Sequence, residues 1–344
     1  MMFAQLTSRA SLREITTCLR SQAPKLHFAG FRGSIARTTL ADANERRDSR
    51  IFEDFALHLI GIARAMYSRD SLGVQLKQTV YAIDSSTIDL CLSLFRWAPA
   101  ANERAGLKVH TMLDLHSNIP SVIRITSTLV SDASFLDHLR LEAGNFYVMD
   151  RAYMHAARLM KFIHAAAFFV VRPKNKLLHR VMASREVDEL SGVLCDQHIV
   201  LTGRQTRKDY PAQMRRIEFR DFQRDRTLVF LTNNFELQAL QIAQLYKSRW
   251  QVELFFKWIK QHLRIKKFYG TSLNALKTQI WIAISVNVLM AIVKKELQLE
   301  SSLYRMLQIS SVSIFEKTPI LQALSGTDDQ STLDHVCKQL ILFN

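Results

Sequence analysis

An apolar run that leads into aspartate occurs twice in this chain: Tyr-Ala-Ile-Asp at residues 81–84 and Tyr-Val-Met-Asp at residues 147–150. Each reads as a short β-strand with the acid at or just past its end. Neighbouring strand ends would bring Asp84 and Asp150 close in space. A single aspartate there is more often a turn former, so the pair gains its weight from what accompanies it. Residues 108–115 and 121–129 are β-prone, and Ser117-Asn118-Ile119-Pro120 between them is a good turn. They predict a hairpin beside the first strand. Residues 135–141 can form a helix; a helix near 154–163 and a strand at 167–171 follow.

The flanks differ in character. Residues 1–75 read as helical: Thr39 followed by Asp42 matches a capping pattern, and Ile51, Phe55, Leu59 and Ile62 recur at helical spacing. Residues 172–232 hold short alternating runs at 198–201 and 216–219 among charged turns, closed by a strand at 226–231. A long helix begins near Gln238, with Asn233 and Asn234 able to cap it. Beyond Gly270 the chain is again helical. Its longest apolar stretch, residues 280–293, contains Ser285 and Asn287 and is too short to span a bilayer, which predicts a buried helix. The expected architecture is α/β: a ribonuclease H-like mixed sheet with a β-rich insertion, flanked by helical regions. Its parts are residues 1–75 (a helical region), 76–171 (first part of the core), 172–232 (the insertion), 233–270 (the core helix) and 271–344 (a helical region).

The core helix carries the chemistry. At about 100° per residue, Tyr246, Arg249, Glu253 and Lys260 fall on one arc roughly 60° wide. Leu245, Val252, Phe256, Ile259 and Leu263 form an apolar arc beside it. Between residues 247 and 267 the cations are Lys247, Arg249, Lys257, Lys260, Arg264, Lys266 and Lys267, and the acid is Glu253 alone. A lone carboxylate in a positive field is explained by a bound divalent cation. With 46 Lys+Arg against 31 Asp+Glu and a net charge of +15, the whole chain favours a polyanionic partner, most simply nucleic acid. Three convergent carboxylates, Asp84, Asp150 and Glu253, repel one another as anions, and oxygen donors of this kind favour Mg²⁺ or Mn²⁺ over Zn²⁺. Two such ions suit in-line displacement at phosphorus. Trp250 and Trp258 lie off the arc; either could stack on an unpaired base, Trp250 being nearer, although packing against another helix is the commoner use. His110, Asp114 and His116 alternate along one strand and could instead bind Zn²⁺, against a plain polar sheet face. Lys108 and His110 could also reach DNA or the metal site. Cys18, Cys91, Cys195 and Cys337 are far apart, and the first twenty residues lack an apolar leader, so a reduced cytoplasmic protein is expected.

Tyr, two residues, Arg, three residues, Glu, six residues, Lys is a hallmark, and the chain matches it at Tyr246, Arg249, Glu253 and Lys260. With Asp84 and the Asp-Arg-x-Tyr segment at Asp150–Tyr153, the chain resembles the DDE transposases of the insertion sequence 4 family over nearly its whole length. Ser11-Leu12-Arg13-Glu14 and residues 39–44 resemble the family too, and the long gap from Asp150 to Glu253 fits its β-strand insertion. The resemblance implies that Asp84, Asp150 and Glu253 are the catalytic and metal-binding triad, with two Mg²⁺ or Mn²⁺ ions. It implies that Tyr246, Arg249 and Lys260 contact DNA phosphates, alongside Lys257, Arg264, Lys266, Lys267 and Trp250. The implied activity is strand cleavage and strand transfer at terminal inverted repeats into target DNA, often through a hairpin end. The implied partners are DNA and a second copy on paired ends, with no membrane, at the bacterial nucleoid. Ala152 stands where relatives often carry Gly, a mild change if its backbone angle is ordinary. Met1–Leu6 resembles text that lies inside relatives, which implies a chain that starts within their N-terminal helical region. Two other classes are a non-catalytic DNA-binding relic and a resolvase-like nuclease that cuts without joining.

Overall fold

Four helices precede the sheet in the computed structural model, which describes residues 1–68, 76, 78–91, 93–95, 97, 100–101, 104–174, 177–262, 268–316 and 323–324. They are α1 (Met2–Leu6), α2 (Leu12–Ser21), α3 (Arg37–Arg46) and α4 (Arg50–Tyr67). The start of α2 is fixed reciprocally: Ser11 Oγ accepts from the Glu14 amide, and the Glu14 carboxylate accepts from the Ala10 amide at 2.8 Å. Thr39 does not cap α3 but lies inside it, because the helix starts at Arg37. In α4 the buried stripe is Ala56, Leu59, Ile60 and Ala63, while Ile51, Phe55 and Ile62 stay exposed. The reason is steric: the alanines let α4 approach a later helix closely, which turns the larger residues outward.

The sheet is built from β1 (Val80–Leu90), β2 (Ala100–Ala101), β3 (Arg104–Asp114), β4 (Ile119–Ser127) and β5 (Phe146–Met149). After α5 (Ala156–His164) come β6 (Phe168–Val171), β7 (His179–Ser184), β8 (Val193–Leu201), α6 (Arg204–Asp209), β9 (Met214–Asp221) and β10 (Arg226–Thr232). The central order is β4–β3–β1–β5–β6, with β3 antiparallel to β1 and β4, and β5 parallel to β1 and β6. This is the ribonuclease H-like arrangement. The insertion does not form a separate layer: β10 pairs antiparallel with β6, and β9, β8 and β7 continue outward, giving ten strands in one sheet among the described residues. The turn after β3 holds Asn118 at φ 56°, a left-handed angle that asparagine tolerates.

Side chains alternate between two cores along these strands. Val80, Ala82, Phe146, Val148 and Val170 face one, and Tyr81, Ile83, Tyr147, Met149, Phe169 and Val171 face the other. The first core is closed by α4 and by α7 (Ala239–Ser248), α8 (Trp250–His262) and α9 (Leu273–Glu296). The second is closed by α5, through Leu159 and Phe162. Residues 135–141 give a 3-10 helix, Asp132–His138, rather than an α-helix. α9 has the length and apolarity to cross a membrane, yet it is the buried central helix of the first core. Asn274 ties the N-terminal helices to it: its Oδ1 accepts from the Ser49 amide at 2.9 Å and its Nδ2 donates to the Arg47 carbonyl at 2.7 Å. α10 (Leu303–Ser313) packs on α9.

α7 is capped by Gln238, whose side chain and that of Gln241 bond reciprocally to the backbone, and not by Asn233 or Asn234. Those asparagines hold the approach instead. Asn233 bridges Phe169 and Ala167, and the Asn234 Oδ1 accepts from the Glu236 and Leu237 amides. Arg215, 1 % exposed, braces the same approach. It forms a two-pronged pair with Asp196 at 2.8 and 2.7 Å and donates to the Leu237 carbonyl at 2.6 Å. Removing one partner of such a pair leaves a buried charge uncompensated. Asp196→Ala is therefore expected to cost about 3–5 kcal/mol in urea unfolding. Asp196→Ala combined with Arg215→Met should recover most of it. A wild-type midpoint for the single variant would show that the pair is dispensable.

Candidate active site

Where the ladder between β1 and β5 ends, at Ile83 opposite Met149, the next residue on each strand is an aspartate. Asp150 follows the end of β5, as expected. Asp84 does not end its strand: β1 continues to Leu90, because β3 stays paired along its other edge down to Leu90 opposite Ala105. Asp84 shares the face of Val80 and Ala82, towards α8. Its Oδ1 accepts from the Ser85 amide at 2.8 Å and its Oδ2 from Arg249 Nη1 at 2.9 Å. Asp150 Oδ1 accepts from the Ala152 amide at 2.8 Å, closing a single 3-10 turn, Arg151–Tyr153. Ala152 is not among the residues of positive φ, so the position does not require glycine. Glu253 projects from the first turn of α8 and accepts from Arg249 Nη2.

The hallmark residues do not form one exposed line. The long helix is interrupted by a single residue, Arg249, between α7 and α8. There the Arg249 amide bonds to the Tyr246 carbonyl at 3.2 Å and the Val252 amide to the Arg249 carbonyl at 3.1 Å, a tighter local winding. Leu245, Val252, Phe256 and Ile259 are buried, as the apolar arc predicts; Leu263 lies outside the described residues. Tyr246 is also buried, its ring 4.7 Å from that of Phe230, and burial raises its hydroxyl pKa. Arg249 is 13 % exposed and spends its two terminal nitrogens on Asp84 and Glu253. It is therefore a bridge between acids rather than a solvent-facing cation. Burial pushes the Asp84 carboxyl up to about 6; Arg249 and the Ser85 amide oppose this, while Asp150 and Glu253 add like charge.

A cleft of about 520 Å³ opens beside these acids, bounded by Asp84, Glu253, Lys257 and Lys260 among others. Arg264, Lys266 and Lys267 lie outside the described residues. The two tryptophans part ways: Trp258 packs on the first core, whereas Trp250 is 47 % exposed. The Arg224 guanidinium lies 5.7 Å from its ring centroid, and Lys247 bonds to Gln223 at 3.1 Å. These contacts seat the turn between β9 and β10 against the junction of α7 and α8.

Sequence reasoning missed Asp132. It has no motif of its own, and only folding brings it to the site, where its Oδ1 accepts from Ser85 Oγ at 2.6 Å and pairs with Lys108 at 3.1 Å. Tyr153, carried by the Asp-Arg-x-Tyr segment, is buried; burial, then Asp84, Asp132 and Asp150, hold its pKa well above the ordinary value. The zinc alternative is not assembled. His110 is stacked on Phe135, bonded to Thr126 at 2.9 Å and pushed down to about 4 by burial. His116 lies past the end of β3 and reaches the Gln78 carbonyl at 3.3 Å. Among the described residues no three of His, Cys, Asp and Glu stand together as a ready metal cage. The carboxylate donors nevertheless suit a hard divalent cation. Asp84 and Glu253 already share one cation, the Arg249 guanidinium, so they lie within a single charge's reach of each other.

The chain is similar to several known proteins. A family model described as "Transposase DDE domain" matches residues 75–289, and a domain of unknown function matches residues 1–32. A putative transposase, y4zB, of Sinorhizobium fredii is 32% identical across 82% of this chain and 78% of its own. A probable transposase for insertion sequence element IS5377 of Geobacillus stearothermophilus is 30% identical across 60% of this chain and 55% of its own. A putative transposase for insertion sequence element IS4SA of Synechocystis is 23% identical across 79% and 75%. A solved piggyBac transposase synaptic complex with hairpin DNA aligns over 76% of this chain and 60% of that one, with TM-score 0.42 and 10% identity. The family model covers residues 75–289 and the Sinorhizobium relative most of both chains, so the chain belongs to the family of transposases with a DDE domain.

Proposed function

We propose that the chain cleaves DNA strands at insertion-sequence ends and transfers them to target DNA, using Mg²⁺ or Mn²⁺ held by Asp84, Asp150 and Glu253. The observation that carries this is the sharing of one cation by Asp84 and Glu253, with Asp150 next to Asp84 in strand register, at the mouth of a lysine-lined cleft. When bound, divalent ions supply activation of the attacking oxygen and stabilisation of the leaving one. The chain's own residues do the rest. Lys257 and Lys260 hold phosphates along the cleft, and Arg264, Lys266 and Lys267 extend that charge along the sequence. Arg249 joins them as a phosphate ligand once it leaves its carboxylates, with Tyr246 packed beneath it. Trp250 offers an exposed ring to an unpaired base. In hydrolysis water adds across a P–O bond and leaves a 3′-hydroxyl. That hydroxyl then attacks a target phosphodiester, forming one P–O bond as another breaks, so no energy cofactor is required. The reading calls for two copies on paired ends and places the work on the bacterial nucleoid.

Asp84→Ala, Asp150→Ala and Glu253→Ala should each lower Mg²⁺-dependent nicking by at least about a hundredfold, since the metal supplies several kcal/mol of charge stabilisation and about 1.4 kcal/mol is tenfold. Binding to duplex in Ca²⁺ should persist. A variant that nicks at the wild-type rate removes that residue from the triad, and nicking without joined products would favour the resolvase-like reading.

Lys257→Ala is expected to weaken duplex binding and to lower the slope of log affinity against log salt by about 1, as fewer counterions are released. An unchanged slope would mean that Lys257 does not meet the backbone. Trp250→Ala should cost about 1–3 kcal/mol of affinity for single-stranded oligonucleotide in fluorescence anisotropy, with an unmoved thermal midpoint because the ring is exposed. Equal affinity would remove the stacking role.

A further inference from the structure

Arg249 contacts, through its two terminal nitrogens, one oxygen of Asp84 and one of Glu253. The residue lies where α7 gives way to α8, so the backbone fixes its side chain between β1 and α8. The guanidinium holds one oxygen of each carboxylate, so a divalent cation ligated by both competes with it for them. A metal entering beside Arg249 also meets like charge within hydrogen-bond range of its own ligands. The guanidinium cannot lose a proton to escape this. It is 13 % exposed, its Nε is buried without a hydrogen-bond partner among the described residues, and Tyr246, whose ring centroid lies 5.7 Å away, offers it a neighbour but no negative charge. Leaving the carboxylates therefore requires a new anion. The Lys257 and Lys260 side of the neighbouring cleft is suited to supply one as a DNA phosphate, which a guanidinium grips with two parallel hydrogen bonds.

We infer that Arg249 is the resident counter-ion of Asp84 and Glu253, and that it yields those oxygens to a divalent cation when a DNA phosphate takes its guanidinium. This rests on the reading of Asp84 and Glu253 as metal ligands. It adds that DNA and metal bind cooperatively, and that one arginine carries the coupling. Linkage makes the effect reciprocal: DNA tightens metal binding by the factor by which metal tightens DNA binding. Neither ion pair needs to be strong for this to hold. What matters is that the same two carboxylates serve both cations.

The test measures Ca²⁺ binding by calorimetry on the full chain, with and without a generic duplex oligonucleotide, because phosphate contacts do not depend on sequence. In the wild type, duplex should tighten Ca²⁺ binding at least about tenfold, a coupling within the usual range. Arg249→Gln should bind Ca²⁺ as tightly without duplex as the wild type does with it, and the duplex effect should vanish. Arg249→Lys keeps the charge but cannot span both acids, and should fall between the two. It also serves if the glutamine variant does not fold. Glu253→Gln should weaken Ca²⁺ binding with and without duplex. If Glu253→Gln weakens Ca²⁺ binding but neither Arg249 variant tightens it, the counter-ion role is overturned and the metal assignment stands. If Glu253→Gln binds Ca²⁺ like the wild type, the metal assignment falls and this inference falls with it.

Discussion

The whole site depends on β1 losing one neighbour before the other. As far as Ile83 it is sandwiched between β3 and β5, and its residues are fully buried. At Asp84 β5 has ended, but β3 still holds the strand straight. A gap opens on one side of a strand that cannot bend into it. Polar side chains are tolerated there because one edge is free of sheet, and the rigid backbone keeps their positions. Asp150, one residue beyond the end of β5, borders the same gap. A helix laid over this point can then add a carboxylate to two that are already placed.

That helix is held from its far end. Arg215 and Asp196 are buried as a pair, and Arg215 also grips the carbonyl of Leu237, just before α7. Buried charges of this sort are an expensive way to obtain stability, but they fix geometry because breaking them is costly. The insertion strands β8 and β9 thus act as a brace for α7 rather than as an appendage. From α7 the chain passes through Arg249 into α8, and Glu253 follows one turn later. Two ion-pair systems, one buried and one at the cleft, share a single helical path. The first orients the path, and the second links it to β1.

Much of this was legible in the sequence. The apolar runs at 81–83 and 147–149 marked the central strands, since only residues covered on both faces can be so uniformly apolar. The apolar arc of Leu245, Val252, Phe256 and Ile259 fixed which side of the helix is buried, and hence that Glu253 and Lys260 lie beside it. The weaker expectations failed for identifiable reasons. Thr39 matched a capping pattern that Arg37 had already made redundant by starting the helix earlier. The helical period of Ile51, Phe55, Leu59 and Ile62 did mark a helix, α4, although its buried side runs through Ala56, Leu59, Ile60 and Ala63.

The sequence by itself determined the residue types and their spacing: which segments form the central strands, which helix face is apolar, and which acids and bases the site can draw upon. These follow from periodicity and side-chain chemistry, which are local. The tertiary structure alone decided who compensates whom. That Arg249 turns inward to Asp84 and Glu253, that Asp132 meets Ser85 and Lys108, and that Trp250 stays exposed while Trp258 is covered all depend on contacts between segments far apart in the chain. A charge on a helix face reads the same in sequence whether it points to water or to a buried acid. Only the arrival of β1 beneath α8 separates the two, because electrostatic partnership is set by distance in space and not by distance along the chain.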